Sequence, residues 1–235
     1  MKVVLDAGHG YHTPGKRSPD GLKEYEINRA IAAYTKAAIL TYQNVNVIYT
    51  HNDKHDVPLK TRTDQANLIQ ATCFISIHAN ASGDGNTWND ANGIETFIHN
   101  HASKRSLSLA EKIQTNLIIA TGLKDRGVRT SNFHVLRETK MAAVLIECGF
   151  MTNSDEIKLL RSETYRKACG EAIAKAIAEE YELKKFPEPP TINEPLKGIY
   201  KVQIGAYKNK QHAEILANKL RKQGYDPFII YQNQK

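Results

Sequence analysis

Two histidines and two glutamates in this 235-residue chain are placed where they could bind a metal ion and activate water. His9, His78 and Glu147 each lie at the end of a short apolar run, and Glu24 lies in the stretch that follows His9. Apolar runs that give way to glycine or small polar residues are typical of buried strands. In open α/β sheets, active sites collect beyond the carboxyl ends of such strands. We therefore expect these side chains to meet at one rim of a sheet.

The donor atoms of His9, Glu24 and His78 suit a catalytic zinc ion, which takes three protein ligands and keeps one position for water. Glycines on both sides of His9 indicate that the backbone approaches its surroundings closely there. Glu147 stays outside the ligand set and is free to accept a proton from water. Taken singly, each histidine could be a hydrogen-bonded loop residue, and Glu24 could be a charge favourable to a helix N-terminus. Together they predict one Zn²⁺ per chain with Glu147 as the catalytic base.

Alternating strands and helices over residues 1–183 would position these side chains. Strands are predicted at residues 2–6, 45–49, 73–77, 94–98 and 142–147. Helices are predicted at residues 24–42, 60–71, 103–121 and 155–182. The alternation predicts an α/β fold, in which a mostly parallel twisted sheet is covered by helices on both faces.

The composition is that of a globular protein whose basic charge is concentrated near one end. Residues 1–183 contain 22 Lys and Arg against 21 Asp and Glu, whereas residues 184–235 contain 10 against 4. A basic C-terminal module favours an anionic partner such as nucleic acid, an acidic polymer or a membrane surface, although a solvated helix explains the charge equally well. The longest apolar runs have about five residues, against about 20 for a membrane span, so no membrane insertion is expected.

The sequence also predicts where the protein is made. The apolar run after Lys2 is shorter than the core of a signal peptide, and His9 already belongs to the predicted site. Three cysteines in apolar contexts are typical of a reducing compartment. We expect synthesis in the cytoplasm without a signal peptide.

A linker and a small module are predicted after the first domain. Four prolines between residues 187 and 195 favour an extended linker, placed at residues 184–197. Residues 198–235 then read as an incomplete βαβ module, with strands at 199–207 and 228–231 around one helix.

Residues 1–180 resemble the zinc-dependent N-acetylmuramoyl-L-alanine amidases of the amidase type 3 family. The resemblance is carried, in chain order, by Val4-Leu5-Asp6-Ala7-Gly8-His9-Gly10, Glu24, Ser76-Ile77-His78-Ala79-Asn80 and Leu145-Ile146-Glu147-Cys148-Gly149-Phe150-Met151-Thr152-Asn153. It implies that His9, Glu24 and His78 are the zinc ligands and that Glu147 is the catalytic glutamate. Asn80 and Arg62 are then candidate substrate-binding residues.

The resemblance implies a peptidoglycan hydrolase. It would cleave the amide between N-acetylmuramic acid and the L-alanine of the stem peptide, as a phage endolysin or a mother-cell autolysin. The enzyme would act on the cell wall after release from the cytoplasm, with peptidoglycan rather than nucleic acid as its partner.

Residues 198–235 resemble the first half of a sporulation-related repeat (SPOR) domain, which binds glycan strands. The resemblance implies that Gln203 is a candidate glycan contact. Because half of the module is missing, two copies could complete it, and we predict a weak homodimer through residues 198–235.

Other interpretations of these residues stay open at this point. A zinc carboxypeptidase would need an arginine for a terminal carboxylate, and Arg62, Arg129 or Arg137 could serve. A non-catalytic wall-binding protein would not need both Glu24 and Glu147. Glu95 is interpreted as a surface carboxylate, with a position near the substrate as the alternative. A metal-binding role for His99 and His101 is less favoured, because the family has no such position.

Overall fold

The computed structural model describes residues 1–13, 15–187 and 204–231. The chain divides into two compact units, Met1–Pro187 and Glu188–Lys235. The first unit extends past the predicted domain end at Leu183, because the backbone of Lys184 accepts a hydrogen bond from Gln43 and that of Phe186 donates one to Thr41. None of the helices in the described ranges has the length and apolarity needed to cross a membrane.

The described residues of the first unit form six strands and six helices. In chain order they are β1 (Lys2–Ala7), α1 (Glu24–Ile39), β2 (Asn46–Tyr49), α2 (Leu59–Leu68), β3 (Cys73–Asn80), β4 (Ile94–Ile98), α3 (Lys104–Thr121), β5 (Asp125–Thr130), α4 (His134–Arg137), β6 (Ala142–Phe150), α5 (Glu156–Arg161) and α6 (Glu163–Glu180).

One six-stranded sheet, in the order β2-β1-β3-β6-β4-β5, holds the unit together. The first four strands are parallel to their neighbours. β4 runs antiparallel to β6, and β5 is parallel to β4. The predicted fold class is therefore confirmed, with a reversed pair of strands at one edge.

Each face of the sheet has its own hydrophobic core. Side chains such as Leu5, Ile75 and Val144 pack beneath α1, α3 and α6 on one face. On the other face, Phe74 and Leu145 pack with buried side chains of α2 and α4. Side chains alternate between faces along a strand, so this second face also carries His78, four residues after Phe74, and Glu147, two residues after Leu145.

In the first unit the structure departs from the predicted helices and strands at three places, one of which is the short helix α4, which was not predicted. The helix predicted at 155–182 is divided at Ser162, whose extended backbone ends α5 and whose hydroxyl accepts the Tyr165 N–H at the start of α6. Serine is a favoured N-cap residue, so it starts a new helix here instead of continuing the preceding one. β5 was not predicted, because Asp-Arg-Gly-Val-Arg-Thr lacks alternating apolar residues.

The second unit contains the predicted helix, α7 (Lys210–Arg221), within its described residues. Residues 204–207 and 225–231 do not form strands, whereas residues 199–203 of the first predicted strand lie outside the described residues, so the βαβ arrangement stays a prediction. Ile204, Phe228 and Ile230 are largely exposed, which agrees with the small core that such a short segment can bury. Gln203 and most of the predicted linker lie outside the described residues.

Candidate metal centre and catalytic residues

The turn after β1 presents His9 to the site. His9 has a left-handed backbone, with φ of 67°, and follows Gly8, which donates a hydrogen bond to Ile77 O at 3.0 Å. A Cβ atom at Gly8 would overlap the imidazole ring of His78. Glycine is therefore required for β1 to bring His9 beside His78.

Glu24, the first residue of α1, lies between the two histidines. Its Oε1 is 2.7 Å from His78 Nδ1, and its Oε2 is 3.1 Å from His9 Nε2. The Lys16 N–H also donates to Oε2, at 2.8 Å. Gly15, at φ of 80°, leaves the room that this contact needs, since a Cβ atom there would overlap both His9 and Glu24.

The three side chains form a donor set that fits zinc. One ligand atom from each of His9, Glu24 and His78 lies within 4.8 Å of the others. Donors around a tetrahedral zinc, each about 2.0–2.1 Å from the ion, are roughly 3.3 Å apart, so small side-chain adjustments would accommodate the ion. Among the described residues, this is the one group of three or more potential ligands that meets the distance criterion.

The protonation state of Glu24 also suits a ligand. Burial favours the neutral acid, but hydrogen bonds with His78 and His9 outweigh burial and hold the pKa of Glu24 well below its usual range. Glu24 is thus a carboxylate at neutral pH, as metal binding requires.

Glu147 lies directly beside His78, because the two residues are paired in the register of β6 and β3. Its Oε2 is buried and has no hydrogen-bond partner among the described residues. Burial, followed by repulsion from the Glu24 and Glu95 carboxylates, raises the pKa of Glu147 well above its usual range. A cation at the adjacent donor set would favour the ionised form. This unpaired carboxylate next to the ligands can exchange a proton with a bound reactant.

The region around the site is open toward solvent. The side chains of His9 and His78 are 35% and 16% exposed. On the same face, α2 and α4 pack against residues such as Phe74 and Leu145, which precede His78 and Glu147 in their strands. Residues 81–93, between β3 and β4, form turns without a helix. A long polymer can therefore reach the site.

Arg62 supports the site from beneath, and the prediction that it binds substrate is wrong. Its side chain is only 3% exposed. The guanidinium donates to Asp6 Oδ1 at 2.9 Å, to Ala7 O at 2.8 Å and to His9 O at 2.6 Å. Arg62 therefore holds the backbone of the turn that carries His9. The sequence alone did not distinguish this buried role from a surface one.

We expect Arg62→Met to reduce the free energy of unfolding by about 3–5 kcal/mol, because it leaves the buried carboxylate of Asp6 without its counter-charge. Urea denaturation of the whole chain measures this. Arg29→Met is the matched control: Arg29 pairs with Asp53 at 2.6 Å on the surface, and such pairs contribute about 0–1 kcal/mol. Equal effects of the two substitutions would contradict the assigned role of Arg62.

The acid dependence of stability gives this prediction a second measurement. Burial alone would raise the pKa of Asp6, but the Arg62 charge and hydrogen bonds from Thr50 and Ser76 hold it below the usual 3.8. The contribution of Asp6 is therefore present above that value and is lost as pH falls through the lower pKa of the folded state. The difference between Arg62→Met and the unmodified chain should shrink over the same acid range.

Glu95 lies beside Glu147, which favours the alternative position near the substrate over the surface position preferred from the sequence. Its side chain is 5% exposed, and it is paired with Glu147 in the register of β4 and β6. Asn80 donates to Glu95 Oε1 at 2.7 Å, and Arg126 pairs with Oε2 at 2.9 Å. The interpretation of Glu95 as a surface carboxylate is therefore wrong. Asn80 lies beside this cluster, and its substrate contact stays a prediction.

Three clustered donors and a neighbouring carboxylate thus lie on one rim of an α/β sheet, an arrangement that could hold a single metal ion and carry out a hydrolysis. Residues 3–179 match the family model described as N-acetylmuramoyl-L-alanine amidase, and residues 170–231 match the SPOR domain. The chain belongs to the N-acetylmuramoyl-L-alanine amidase family.

Individual relatives agree with this assignment. The chain is 31% identical to N-acetylmuramoyl-L-alanine amidase CwlM of Bacillus licheniformis over 234 residues, which cover 99% of this chain and 86% of that protein. It is 30% identical to a sporulation-specific N-acetylmuramoyl-L-alanine amidase of Bacillus subtilis, with the same coverage. The crystal structure of an amidase from Clostridium difficile 630 covers 77% of this chain and 97% of its own, at 33% identity and a TM-score of 0.74. The predicted family and cell-wall amidase function are confirmed.

Proposed function

We propose that the chain is a zinc-dependent N-acetylmuramoyl-L-alanine amidase in which His9, Glu24 and His78 hold one Zn²⁺ and Glu147 is the catalytic base. The observation that carries the proposal is the meeting of these three donors beside the buried, unpaired Oε2 of Glu147. Zinc bound there would supply a Lewis acid, which acidifies water and polarises the carbonyl of the scissile amide.

The residues of the chain handle the protons of the reaction. Glu147 accepts a proton from the attacking water at its unpaired Oε2, which no described neighbour occupies. It then delivers this proton to the nitrogen of the departing L-alanine, so that a neutral amine leaves. The histidine contacts of Glu24 keep that carboxylate ionised, so it does not compete for the proton.

Analysis of the products from purified peptidoglycan tests the proposal. We expect stem peptides with a new amino terminus on L-alanine, and a chain that contains one zinc ion by elemental analysis. Release of free D-alanine would indicate a carboxypeptidase, and release of nothing would indicate a binding protein. Full activity in a chain stripped of metal would contradict the zinc assignment.

The C-terminal unit is proposed to assist binding to the glycan, because its SPOR match and its positive charge both suit a wall polymer. The homodimer through residues 198–235 stays a prediction. Sedimentation of the full chain beside a chain that ends at Pro187, the end of the first unit, measures it. Monomers for both chains up to high micromolar concentration would contradict the dimer.

Synthesis in the cytoplasm, followed by action on the wall after release, is part of the same proposal. Cys73, Cys148 and Cys169 are buried free thiols, which supports a reducing compartment of synthesis.

A further inference from the structure

Two arginines from β5 converge on the carboxylate of Glu95, next to Glu147. The ion-pair distances to Glu95 Oε2 are 2.9 Å from Arg126 Nε and 3.1 Å from Arg129 Nε. Residues three apart on a regular strand would point to opposite faces. Here the register of β5 against β4 shifts between Ile94 and Thr96, so two residues of β5 oppose one residue of β4. This bulge, with Gly127 at φ of 78°, places both guanidiniums on the face that carries the site.

Arg126, Arg129 and Glu95 together carry a net charge of one positive unit. Two guanidiniums share one carboxylate, and the other oxygen of Glu95 accepts from Asn80. The Arg129 side chain is 50% exposed. Within the described residues, both contacts of the Arg129 guanidinium are made by Nε. This nitrogen donates to Arg126 O at 3.4 Å and faces Glu95 Oε2. The terminal nitrogens of Arg129 are thus available for an anion that arrives from solvent.

The order of the strands determines which part of a substrate meets this cluster. The metal donors come from the β1 and β3 side, Glu147 lies on β6, and Glu95 with its arginines lies on β4 and β5. In the proposed function, the carbonyl lies at the donors and the leaving nitrogen lies at Glu147. The leaving peptide therefore extends toward β4 and β5.

We infer that Arg129, supported by Arg126, binds a carboxylate of the leaving stem peptide and gives the enzyme a preference for a free carboxylate on the second stem residue over its carboxamide. The inference rests on the proposed function. Glu95 and Glu147 lie on neighbouring strands, which are about 4.8 Å apart, and the guanidiniums reach from β5 to within 2.9 and 3.1 Å of the Glu95 carboxylate, so they lie roughly 5–8 Å from Glu147 across the sheet. An extended peptide advances about 3.3–3.6 Å per residue, which brings a carboxylate of the second residue to that distance. Arg129 is a specificity residue here, since it contacts the substrate away from the reacting atoms.

Two synthetic N-acetylmuramoyl tripeptides test the inference. They are identical except that the second residue, D-glutamate, carries either a free α-carboxylate or its carboxamide. For the full zinc-loaded chain, we expect kcat/KM to be about tenfold higher with the carboxylate, mainly through KM, because a charge-assisted contact is lost in the amide. Arg129→Gln should reduce this ratio to near one, and Arg129→Lys should restore part of it.

Arg105→Gln is the matched control. Arg105 is also exposed and faces a carboxylate, that of Glu180, at 3.8 Å, but it lies in the first turn of α3, which follows the end of β4 opposite to Glu95. Arg105→Gln removes the same charge as Arg129→Gln but leaves the arginines beside Glu95 unchanged. The carboxylate preference should therefore remain intact. Loss of the preference in both variants would assign the effect to net charge and overturn the inference.

Calorimetric binding of the two released tripeptides separates the inference from the proposed function. We expect the carboxylate product to bind more tightly, with the difference abolished by Arg129→Gln. Equal affinities, or equal kcat/KM values for the unmodified chain, would overturn the carboxylate site while leaving the amidase in place. If neither substrate is hydrolysed, the proposed function fails, and product binding alone decides the role of the arginines.

Discussion

Glu147→Gln is expected to lower the rate of amide cleavage by about 10²–10⁴-fold while the chain keeps one zinc ion, because a positioned general base contributes that much and Glu147 is not among the three clustered donors. Glutamine has nearly the same shape, so the fold should be unchanged. Steady-state kinetics on a muramoyl peptide and elemental analysis of the same preparation give the two readings. Burial and the neighbouring carboxylates disfavour a charge at this position, so the neutral amide should be tolerated.

Glu138→Gln serves as the control, since this glutamate is exposed and pairs with Arg137 at 2.7 Å. It should leave both activity and zinc content unchanged. Loss of zinc together with activity in Glu147→Gln would show that Glu147 is itself a ligand, and the assignment of the base would then be wrong.

His78→Ala is expected to remove zinc and activity together. His78 contributes one of three donors and contacts Glu24 Oε1 at 2.7 Å, so its loss also frees the carboxylate that orders the set. Elemental analysis should find well under one zinc per chain. Activity should fall by about 10²-fold or more, because the loss of a residue that merely orients a ligand already lowers metal affinity or activity by up to that factor.

His99→Ala is its control, because His99 is half-buried, is not among the clustered donors, and its Nε2 lies 3.3 Å from Asn132 Oδ1. This variant should keep both zinc and activity. A His78→Ala chain that retained stoichiometric zinc would mean that His9 and Glu24 bind the ion with another ligand.

The sequence predicted the donors because each one follows a recognisable strand or begins a helix. His9, His78 and Glu147 end apolar runs, and parallel strands bring such ends to one rim. The glycines on both sides of His9 also indicated a close approach of the backbone, and the contact between Gly8 and the His78 ring explains it.

The reversed edge of the sheet was harder to predict, because its determinants are not local. β5 is held by pairing with β4 and carries charged residues, so its pattern does not resemble a strand. The burial of Glu95 depends on two arginines about thirty residues away in the chain. Gly127 beside Arg126 was the available signal, since a glycine among charged residues of a strand suggests a bulge.

Arg62 was misread for a similar reason. An arginine on a helix is normally exposed, and the sequence does not show that three carbonyl oxygens and the carboxylate of Asp6 surround it. In the C-terminal unit the helix was predicted correctly from its periodicity, whereas the strands were not formed among the described residues. Strands require partners, and a segment this short supplies few.

The hydrogen bonds from Arg62 to the turn after β1 have a consequence for the order of folding and metal binding. The carbonyls of Ala7 and His9 are fixed by a buried cation of the protein itself, and Glu24 already bridges both histidines. Protein contacts therefore preorganise the three donor side chains, so binding of an ion would not be needed to order the turn that carries His9. Folding would then precede loading, and a chain stripped by a chelator should regain activity on addition of zinc without passing through the unfolded state.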